Sequence, residues 1–398
     1  MNDRTLLADA QAMLPDVIAL RRDLHRIPEI GLELPRTQEV VLSALDGLPL
    51  EIRRGTTVGS VTAVLEGGRP GPTVLLRADM DGLPLHEDTG LEFASETDGA
   101  MHACGHDTHV AMLVGAARLL SDRRDELAGR VLFMFQPGEE GFHGARFMLE
   151  EGLLDGVGEV RGAFAIHIGT RYRSGTVNLR RGPLLAAGDT IRITVRGRGG
   201  HASAPHHALD PIAVAAEIVL GLQLMVTRRI DAFDPAVLTI ANITAGTTTN
   251  IIPETAFMQG TMRTLSESTR ELMRANVRQV AEGIAAAHGA TADVEIEPGY
   301  PVTVNDPGFA DRVTQLAHDL IGPEDVAEME SPIMGAEDFS YVLQRVPGAM
   351  AFLGASPPDT EPGEGPQNHS NLVVFDEPAM AVGVALYAAV ALEGDARG

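Results

Sequence analysis

Residues 188–199 read GDTIRITVRGRG, and this stretch decides how the chain is divided into domains. Apolar and polar side chains alternate along it, which is typical of a strand with one buried and one solvated face. The segments after it predict, in order, a helix, two strands, a helix and a strand, at 210–229, 236–244, 255–264, 266–288 and 292–298. This order is the ferredoxin-like split pattern, so residues 184–298 are predicted to form a small α+β domain.

The sequence on either side of that domain has a different pattern. β-branched runs bounded by Gly and Pro predict strands and apolar spacing predicts helices, with strands at 57–67, 72–80, 130–136 and 162–168 and helices at 6–24, 37–45, 109–120 and 144–151. This alternation favours an α/β fold with a mostly parallel central sheet flanked by helices. The pattern resumes after residue 300 and ends in a helix at 376–393. We therefore predict a larger, discontinuous domain of residues 1–183 and 299–398 that carries 184–298 as an insertion.

Charge and composition argue against several classes of function. The formal net charge is −24 and all 31 basic residues are Arg, so nucleic acid and anionic membranes would be repelled. The absence of Lys fits either a coding bias toward Arg or adaptation to high salt. The N-terminus lacks a long apolar run, residues 379–392 are too short to span a bilayer, and a single Cys excludes an internal disulfide. A soluble, cytoplasmic protein is expected.

Residues 101–109, MHACGHDTH, are unusually rich in side chains that bind metals. Cys104 and His106 are two apart, so in extended geometry they would face the same side and serve one metal centre. A buried Cys beside a helix-capping Asp107 would explain part of the pattern. Three His and one Cys in nine residues have no packing rationale, and the metal-binding interpretation is therefore favoured.

Residues 133–141, FMFQPGEEG, place Glu139 and Glu140 just after an apolar strand. Ligands bind at this edge of open α/β sheets. Adjacent carboxylates in a turn point in different directions, so one could bind metal while the other acts as a base. The alternative is a pair of solvated loop charges.

Two single histidines extend the candidate site. His167 lies near the end of the apolar strand GAFAIHI, at the same type of strand edge as the two glutamates, although a lone His on a strand is more often a core residue. His369 lies in the polar loop QNHSN, where a surface role is the alternative. Asp79 and Asp81, in RADMDGLP, also follow a strand. They could ligate metal or orient a ligating His from behind, and we favour the second role.

The inserted domain offers candidates for substrate binding. Gly199 and Gly200 permit a tight turn before His201, whose ring could polarise a substrate carbonyl or stabilise an oxyanion. Asn250 and Arg263 could bind a substrate carboxylate, since Arg offers a planar fork to an anion. For each of the three, a surface or loop role is the alternative.

Eight motifs together make the chain recognisable, namely MHACGHD, QPGEEG, AIHIG, GGHASAPH, NIIPE, GTMR, MGAEDF and NHSN. Their order and spacing resemble the aminoacylase and hippurate hydrolase branch of the zinc-dependent exopeptidases, which includes auxin-conjugate hydrolases and N-acetyl-diaminopimelate deacetylases. The resemblance covers nearly the whole chain. Other branches have a His where this chain has Asp79, so the resemblance does not make Asp79 a ligand.

The resemblance implies an N-acyl amino acid amidohydrolase with two divalent ions, Mn²⁺ or Zn²⁺ or another such ion. The implied ligands are Cys104, His106, Glu140, His167 and His369. Glu139 would be the general base, and His201, Asn250 and Arg263 would face the substrate from the inserted domain. That domain would act as a lid and support a homodimer, possibly a tetramer, with His201 acting within its own chain or across the dimer.

Two other functions stay open at this point. The same site could cleave dipeptides, as carboxypeptidase and dipeptidase relatives do, because the acyl pocket alone would decide between the substrates. A non-catalytic metal-binding or amino-acid-binding protein is the second alternative, although such a protein needs the ligands and not the base at Glu139. The acyl group, the amino acid and the physiological metal are not encoded in any pattern we can identify.

Overall fold

Helices and strands alternate along residues 3–393, the part of the chain that the computed structural model describes. The α-helices there are α1 Asp3–His25, α2 Pro35–Leu45, α3 His106–Asp122, α4 Gly144–Glu150, α5 Pro211–Arg229, α6 Glu267–Ala287, α7 Pro307–Ile321, α8 Ser340–Leu343 and α9 Met380–Leu392. The strands are β1 Leu50–Arg54, β2 Val61–Glu66, β3 Arg69–Asp79, β4 Ala128–Gln136, β5 Val160–Arg173, β6 Val177–Leu179, β7 Gly182–Leu185, β8 Ala187–Arg196, β9 Gly200–His201, β10 Ala236–Ala245, β11 Ile251–Ile252, β12 Thr255–Thr264, β13 Thr291–Pro298, β14 Thr303–Asn305, β15 Val326–Glu328 and β16 Gly348–Ser356. The helices predicted from the sequence match observed ones to within a few residues.

The first compact unit is built on an eight-stranded sheet in the order β1-β2-β4-β3-β5-β16-β6-β15. Its central strands β4, β3, β5 and β16 are parallel, whereas β1 and β2 join antiparallel and β6 pairs antiparallel with β16. The predicted α/β class with a mostly parallel sheet is confirmed. Helices α1, α3 and α9 pack against one another, and α9 is buried along nearly its whole length because residues 380–392 are apolar throughout.

The second compact unit has a four-stranded antiparallel sheet in the order β10-β12-β8-β13. The stretch that opened the sequence analysis forms β8, and Ile191, Ile193 and Val195 point into the core as the alternation requires. Helices α5 and α6 pack together over this sheet. Strand β10 is an edge strand, since among the described residues it pairs only with β12.

The two units divide the chain at slightly different places from those expected. The second unit comprises Leu185–Thr303 together with Pro332–Glu337, whereas the sequence patterns assigned 299–303 and 332–337 to the larger domain. The short segment joins the second unit because the backbone N–H of Ala186 donates to the carbonyl oxygens of Ile333 and Gly335, at 3.1 and 2.8 Å. No apolar pattern marks such a contact in the sequence.

Candidate metal centre

Cys104 and His106 are brought together by a turn and not by an extended segment. Gly105 between them has a φ of +90°, which is the left-handed conformation that favours glycine, and α3 begins at His106. A Cβ at Gly105 would also lie 2.4 Å from Ile168. The expectation of extended geometry was therefore wrong, although both side chains do face one place. The helix simply starts three residues earlier than its apolar spacing indicated.

The ring of His106 is oriented so that Nε2 makes no hydrogen bond, although Oδ2 of Asp79 lies 3.5 Å away. Its Nδ1 lies 2.8 Å from the carbonyl oxygen of Asp81, to which Nδ1–H donates. The neutral ring then carries its lone pair on Nε2, which is fully buried and has no hydrogen-bond partner. A hydrogen bond from the opposite ring nitrogen to a backbone carbonyl is how proteins usually fix a metal-ligating histidine.

His167 has the same arrangement on β5. Its Nδ1–H donates to the carbonyl oxygen of Ile168 at 2.7 Å, and its Nε2 lies 3.4 Å from Sγ of Cys104. Burial, and then the neighbouring His109, lower the pKa of His167 to about 3. The ring is therefore neutral at physiological pH, which is the state that binds a metal.

His369 reaches the same sulfur from the C-terminal loop. It is one of two non-glycine residues with positive φ in the described chain, at +72°, and its backbone N–H donates to Ala103 at 2.9 Å. Nε2 lies 3.3 Å from Sγ of Cys104 and 3.2 Å from Oε1 of Glu140. Hydrogen bonds to Cys104 and Glu140 raise the pKa of His369 to about 10. Strained backbone of this kind is common at functional sites.

The two adjacent glutamates both lie near His106, and each has further neighbours that the other lacks. Asp81 accepts the backbone N–H of Glu139 through Oδ1 and that of Glu140 through Oδ2, each at 3.0 Å. The Glu140 side chain belongs to the group around Cys104 and His369. Oε2 of Glu139 lies 3.9 Å from Nε2 of His106. Both oxygens of Asp81 are therefore engaged by backbone, and this carboxylate orients the glutamate turn.

Two of the five groups of possible ligand atoms share one sulfur. Cys104, His106 and His167 offer atoms within 4.8 Å of one another, and so do Cys104, Glu140 and His369. Burial raises the pKa of the Cys104 thiol, and Asp79 raises that of His106 well above its usual value although burial opposes this. A cation would replace these protons, and the buried Nε2 of His106, which makes no hydrogen bond, shows that the pocket fits one.

Asp79 is tied into a buried polar network that the sequence did not reveal. Burial alone would raise its pKa, but Arg77, followed by His106 and His109, holds the pKa well below its usual value. Arg77 donates to Asp79 at 2.7 Å, to Gln136 at 2.9 Å and to Asp338 at 3.2 Å. Asp338 belongs to the MGAEDF motif and is fully buried. No periodic pattern in the sequence indicates that this acid is buried.

The three candidates of the second unit fall at two places in it. His201 pairs with Ile251 across the β9–β11 bridge, and Ala202 donates to the carbonyl oxygen of Asn250 at 3.0 Å, so His201 and Asn250 are neighbours. Arg263 lies on β12 opposite Gly188. Its half-buried guanidinium has no hydrogen bond or ion pair within the described residues, and burial lowers its pKa.

Comparison with known proteins identifies the class. The family described as peptidase family M20/M25/M40 matches residues 75–393, and the chain belongs to that family. The resemblance drawn from the eight motifs is thereby confirmed, together with the expectation of an enzyme that hydrolyses amide bonds.

Individual relatives cover almost the whole chain. Thermostable carboxypeptidase 1 of Saccharolobus solfataricus is 41% identical over 383 residues, 95% of each chain. The N-acetylcysteine deacetylase of Bacillus subtilis is 39% identical over 377 residues, 94% of this chain and 96% of that protein. The solved structure of the Bacillus subtilis YXEP protein, described as a dinuclear metal binding peptidase from the M20 family, matches with a TM-score of 0.82 at 35% identity, covering 96% of this chain and 98% of that one.

Proposed function

We propose that this protein hydrolyses the amide bond of N-acyl amino acids, using two divalent ions held by Cys104, His106, Glu140, His167 and His369. The observation that carries the proposal is the sharing of Cys104 Sγ between two groups of donor atoms, since a thiolate in that position can bridge two ions. Every proposed ligand belongs to the first compact unit. Soft sulfur and imidazole donors suit Zn²⁺, while the carboxylate also suits Mn²⁺.

A residue of this chain would carry out the proton transfers of the reaction. Divalent ions bound here would lower the pKa of a bound water and polarise the acyl carbonyl. Glu139 would accept a proton from the attacking water and deliver it to the amine nitrogen as the C–N bond breaks. The products are a carboxylate and a free amino acid. Asp81 would hold the backbone of Glu139 with its carboxylate and the ring of His106 with its carbonyl oxygen, and Asp79 would hold the ring of His109 through Nδ1.

His201 has the tautomer that an oxyanion donor needs. The backbone N–H of Ser203 donates to Nδ1 of His201 at 3.1 Å, and the Ser203 hydroxyl lies 2.8 Å from the same atom. A backbone N–H can only donate, so Nδ1 is the acceptor and the neutral ring carries its proton on Nε2. Nε2–H is thus available to a substrate carbonyl oxygen. Arg263, without a carboxylate partner of its own, and Asn250 would bind the substrate's α-carboxylate.

A peptidase activity is the second candidate. The 41% identity to a protein named thermostable carboxypeptidase favours it as directly as the identity to a deacetylase favours the first. The metal ligands and base would be the same for both reactions, and only the fit of the acyl group differs. A role limited to binding is the least favoured, because Glu139 lies beside His106 without being needed as a ligand.

A substrate panel separates these activities. Apo-protein would be reconstituted with Zn²⁺, Mn²⁺ or Co²⁺ and assayed on N-acetyl and N-benzoyl amino acids, on dipeptides and on the matching amides that lack the α-carboxylate. We expect kcat/KM to be highest for an N-acyl amino acid and to fall for its amide. Preference for dipeptides would establish the second candidate. Stoichiometric metal binding without turnover of any substrate would overturn both.

We further propose that the second unit forms a homodimer through β10 and α5. Helix α5 buries one face in the core, yet Leu220 and Leu224 on its other face are 71% and 62% exposed. Ile243 on the edge strand β10 is 52% exposed. An apolar edge strand is normally covered in a stable protein. By length and composition alone α5 is apolar enough to cross a membrane, and only about a third of it is buried in the structure.

The oligomeric state can be tested with matched substitutions. Leu220→Glu combined with Leu224→Glu should convert the dimer to a monomer in light-scattering measurements. Leu272→Glu, on α6 at a residue that is 45% exposed, is the control and should leave the dimer intact. A wild-type monomer, or a dimer that survives the double substitution while the fold is unchanged, would place the interface elsewhere.

A further inference from the structure

His109 is a fully buried histidine in the middle of the candidate centre. It lies one helical turn after His106 on α3, with 0% of its surface exposed. Its ring centroid is 5.5 Å from that of His106 and 4.9 Å from that of His167. With Asp79 and His106 it forms a further group of donor atoms within 4.8 Å, so by distance alone it could be a metal ligand.

Its hydrogen bonds exclude that role. The backbone N–H of Ile168 donates to Nε2 of His109 at 2.8 Å. Because an amide N–H can only donate, Nε2 uses its lone pair there, and the ring proton must be on Nδ1. Nδ1–H in turn donates to Oδ1 of Asp79 at 2.5 Å. Both nitrogens are therefore occupied by the protein, and neither has a lone pair left for an ion.

The bond to Ile168 closes a gap between two central strands. The last paired residues of β3 and β5 are Arg77 and Ala165. Beyond them the phenol of Tyr387 accepts from the N–H of Ile166 at 3.1 Å and donates to the carbonyl of Arg77 at 2.7 Å. His109 makes a similar bridge two residues further along each strand, between the N–H of Ile168 and the side chain of Asp79. At the ends of β3 and β5, hydrogen bonds through side chains thus take the place of backbone hydrogen bonds between the two strands.

The bridged residue is the one that orients His167. The N–H of Ile168 is held by His109, and its carbonyl accepts the Nδ1–H of His167 at 2.7 Å. Asn368, next to His369, also donates to this carbonyl at 3.0 Å. Ile168 thus joins two adjacent peptide groups, one held by His109 through its N–H and the next accepting from the His167 ring, so a shift of the first would be passed to the second.

We propose that His109 is a positioning residue for the metal centre, which sets the place of His167 through Ile168 and is not itself a ligand. The inference rests on the proposed function, since it assigns His167 as a ligand. The hydrogen bonds that link Asp79, His109 and Ile168 then couple the charge of Asp79 to the position of His167. Loss of such an outer partner commonly costs a metal site about 10–100-fold in affinity.

Four variants test the hydrogen bonds separately. His109→Leu removes both bonds and should weaken metal binding by about 10–100-fold in a chelator competition, with the number of ions per chain unchanged. His109→Gln can still accept from Ile168 and should recover more affinity than His109→Asn, which reaches only toward Asp79. Tyr387→Phe is the control, because it removes the other bridge and should lower thermal stability while keeping the wild-type affinity. Equal affinity losses for Leu, Gln and Asn, or loss of one ion per chain, would overturn the proposal.

Nitrogen-15 spectra of the histidines give a readout that does not involve activity. We expect His109 to keep a protonated Nδ1 and an unprotonated Nε2 in apo-protein and after loading with ¹¹³Cd²⁺, without cadmium coupling. Cadmium coupling to His109 would make it a ligand and overturn the proposal. If the protein bound no metal in any form, the proposed function would fail. The tautomer of His109 would still be observed, so the two failures are distinguishable.

Discussion

Oδ1 of Asp81 accepts a hydrogen bond of 3.0 Å from the backbone N–H of Glu139. Its second oxygen accepts the next N–H along the chain at the same distance, so one carboxylate fixes both peptides of the glutamate turn. Beyond their common neighbour His106, the Glu140 side chain lies near Cys104 and His369, and that of Glu139 lies near Glu337 and Asp338. In the proposed mechanism this difference would let one acid serve as a ligand and the other as a base.

Exchanging each glutamate for its amide tests that division. Glu139→Gln should retain about two ions per chain and lower kcat by at least ~10²–10⁴-fold, because the general base is lost. Glu140→Gln should lose metal, because its carboxylate belongs to the group around Cys104. Metal analysis and turnover would be measured on both variants. The assignment would be reversed if Glu139→Gln lost its metals while Glu140→Gln kept them.

The only cysteine should report metal occupancy. Burial raises the pKa of the Cys104 thiol, whereas coordination to a cation deprotonates it outright. Thiol reagents should label chelator-treated protein faster than metal-loaded protein, since a bound sulfur is not a free nucleophile, although burial slows the reaction in both states. Mass spectrometry of the labelled chain measures both rates. Equal labelling in the two states would make Cys104 an ordinary core residue.

His201→Ala should lower kcat by roughly 10²–10³-fold, as expected for the loss of one oxyanion donor, with metal content unchanged. Ser203→Ala is the companion variant, because it removes one of the two bonds that fix the His201 ring and should have a smaller effect. Mixing His201→Ala with Glu139→Gln tests action across the proposed dimer, since hybrids would then contain one site without a defect. No recovery despite proven subunit exchange would place His201 in the site of its own chain.

Stability should depend on pH through Glu87. Hydrogen bonds from His25, Thr89 and the backbone of Ser95 outweigh burial and lower its pKa from 4.5 to about 2. A lowered carboxyl pKa stabilises the fold fully above 4.5, and this contribution is lost as the pH falls toward 2. At about 1.4 kcal/mol for each unit of pKa difference, the upper limit lies between about 3 and 4 kcal/mol.

Urea unfolding of apo-protein between pH 2.5 and 7 measures this contribution. The difference in unfolding free energy between wild type and Glu87→Gln should shrink as the pH falls. Glu96→Gln is the control, because Glu96 is 66% exposed and surface pairs contribute at most about 1 kcal/mol. A Glu87→Gln difference that stays constant with pH would contradict the assignment.

Sequence patterns were sufficient to predict features formed by residues that are close together along the chain. Cys104 and His106 are close in sequence and in space, and Glu139 follows its strand directly, so their proximity could be predicted. Apolar alternation likewise gave β8 and the order of elements in the second unit. These signals depend on neighbours along the chain, which is why they are visible without coordinates.

Long-range side-chain contacts account for what the sequence could not give. The bond from Ile168 to His109 joins residues 59 apart, and that from Gln136 to Asp338 joins residues 202 apart. Neither pair follows a period of two or 3.6 residues. In the sequence His109 is one histidine among several in a metal-rich motif. Its tautomer depends on the backbone N–H of Ile168 on β5, which no local pattern indicates.

Cys104 and His369 are 265 residues apart in sequence, and their side chains meet at 3.3 Å. This distance has a consequence for biosynthesis. On the ribosome, Cys104, His106, Glu140 and His167 emerge long before His369 is translated, so a nascent chain would carry only a partial set of the proposed ligands. Complete loading would have to wait until His369 has left the ribosome. Capture of the second ion would then mark a polypeptide translated beyond His369, and chains terminated before it would remain inactive.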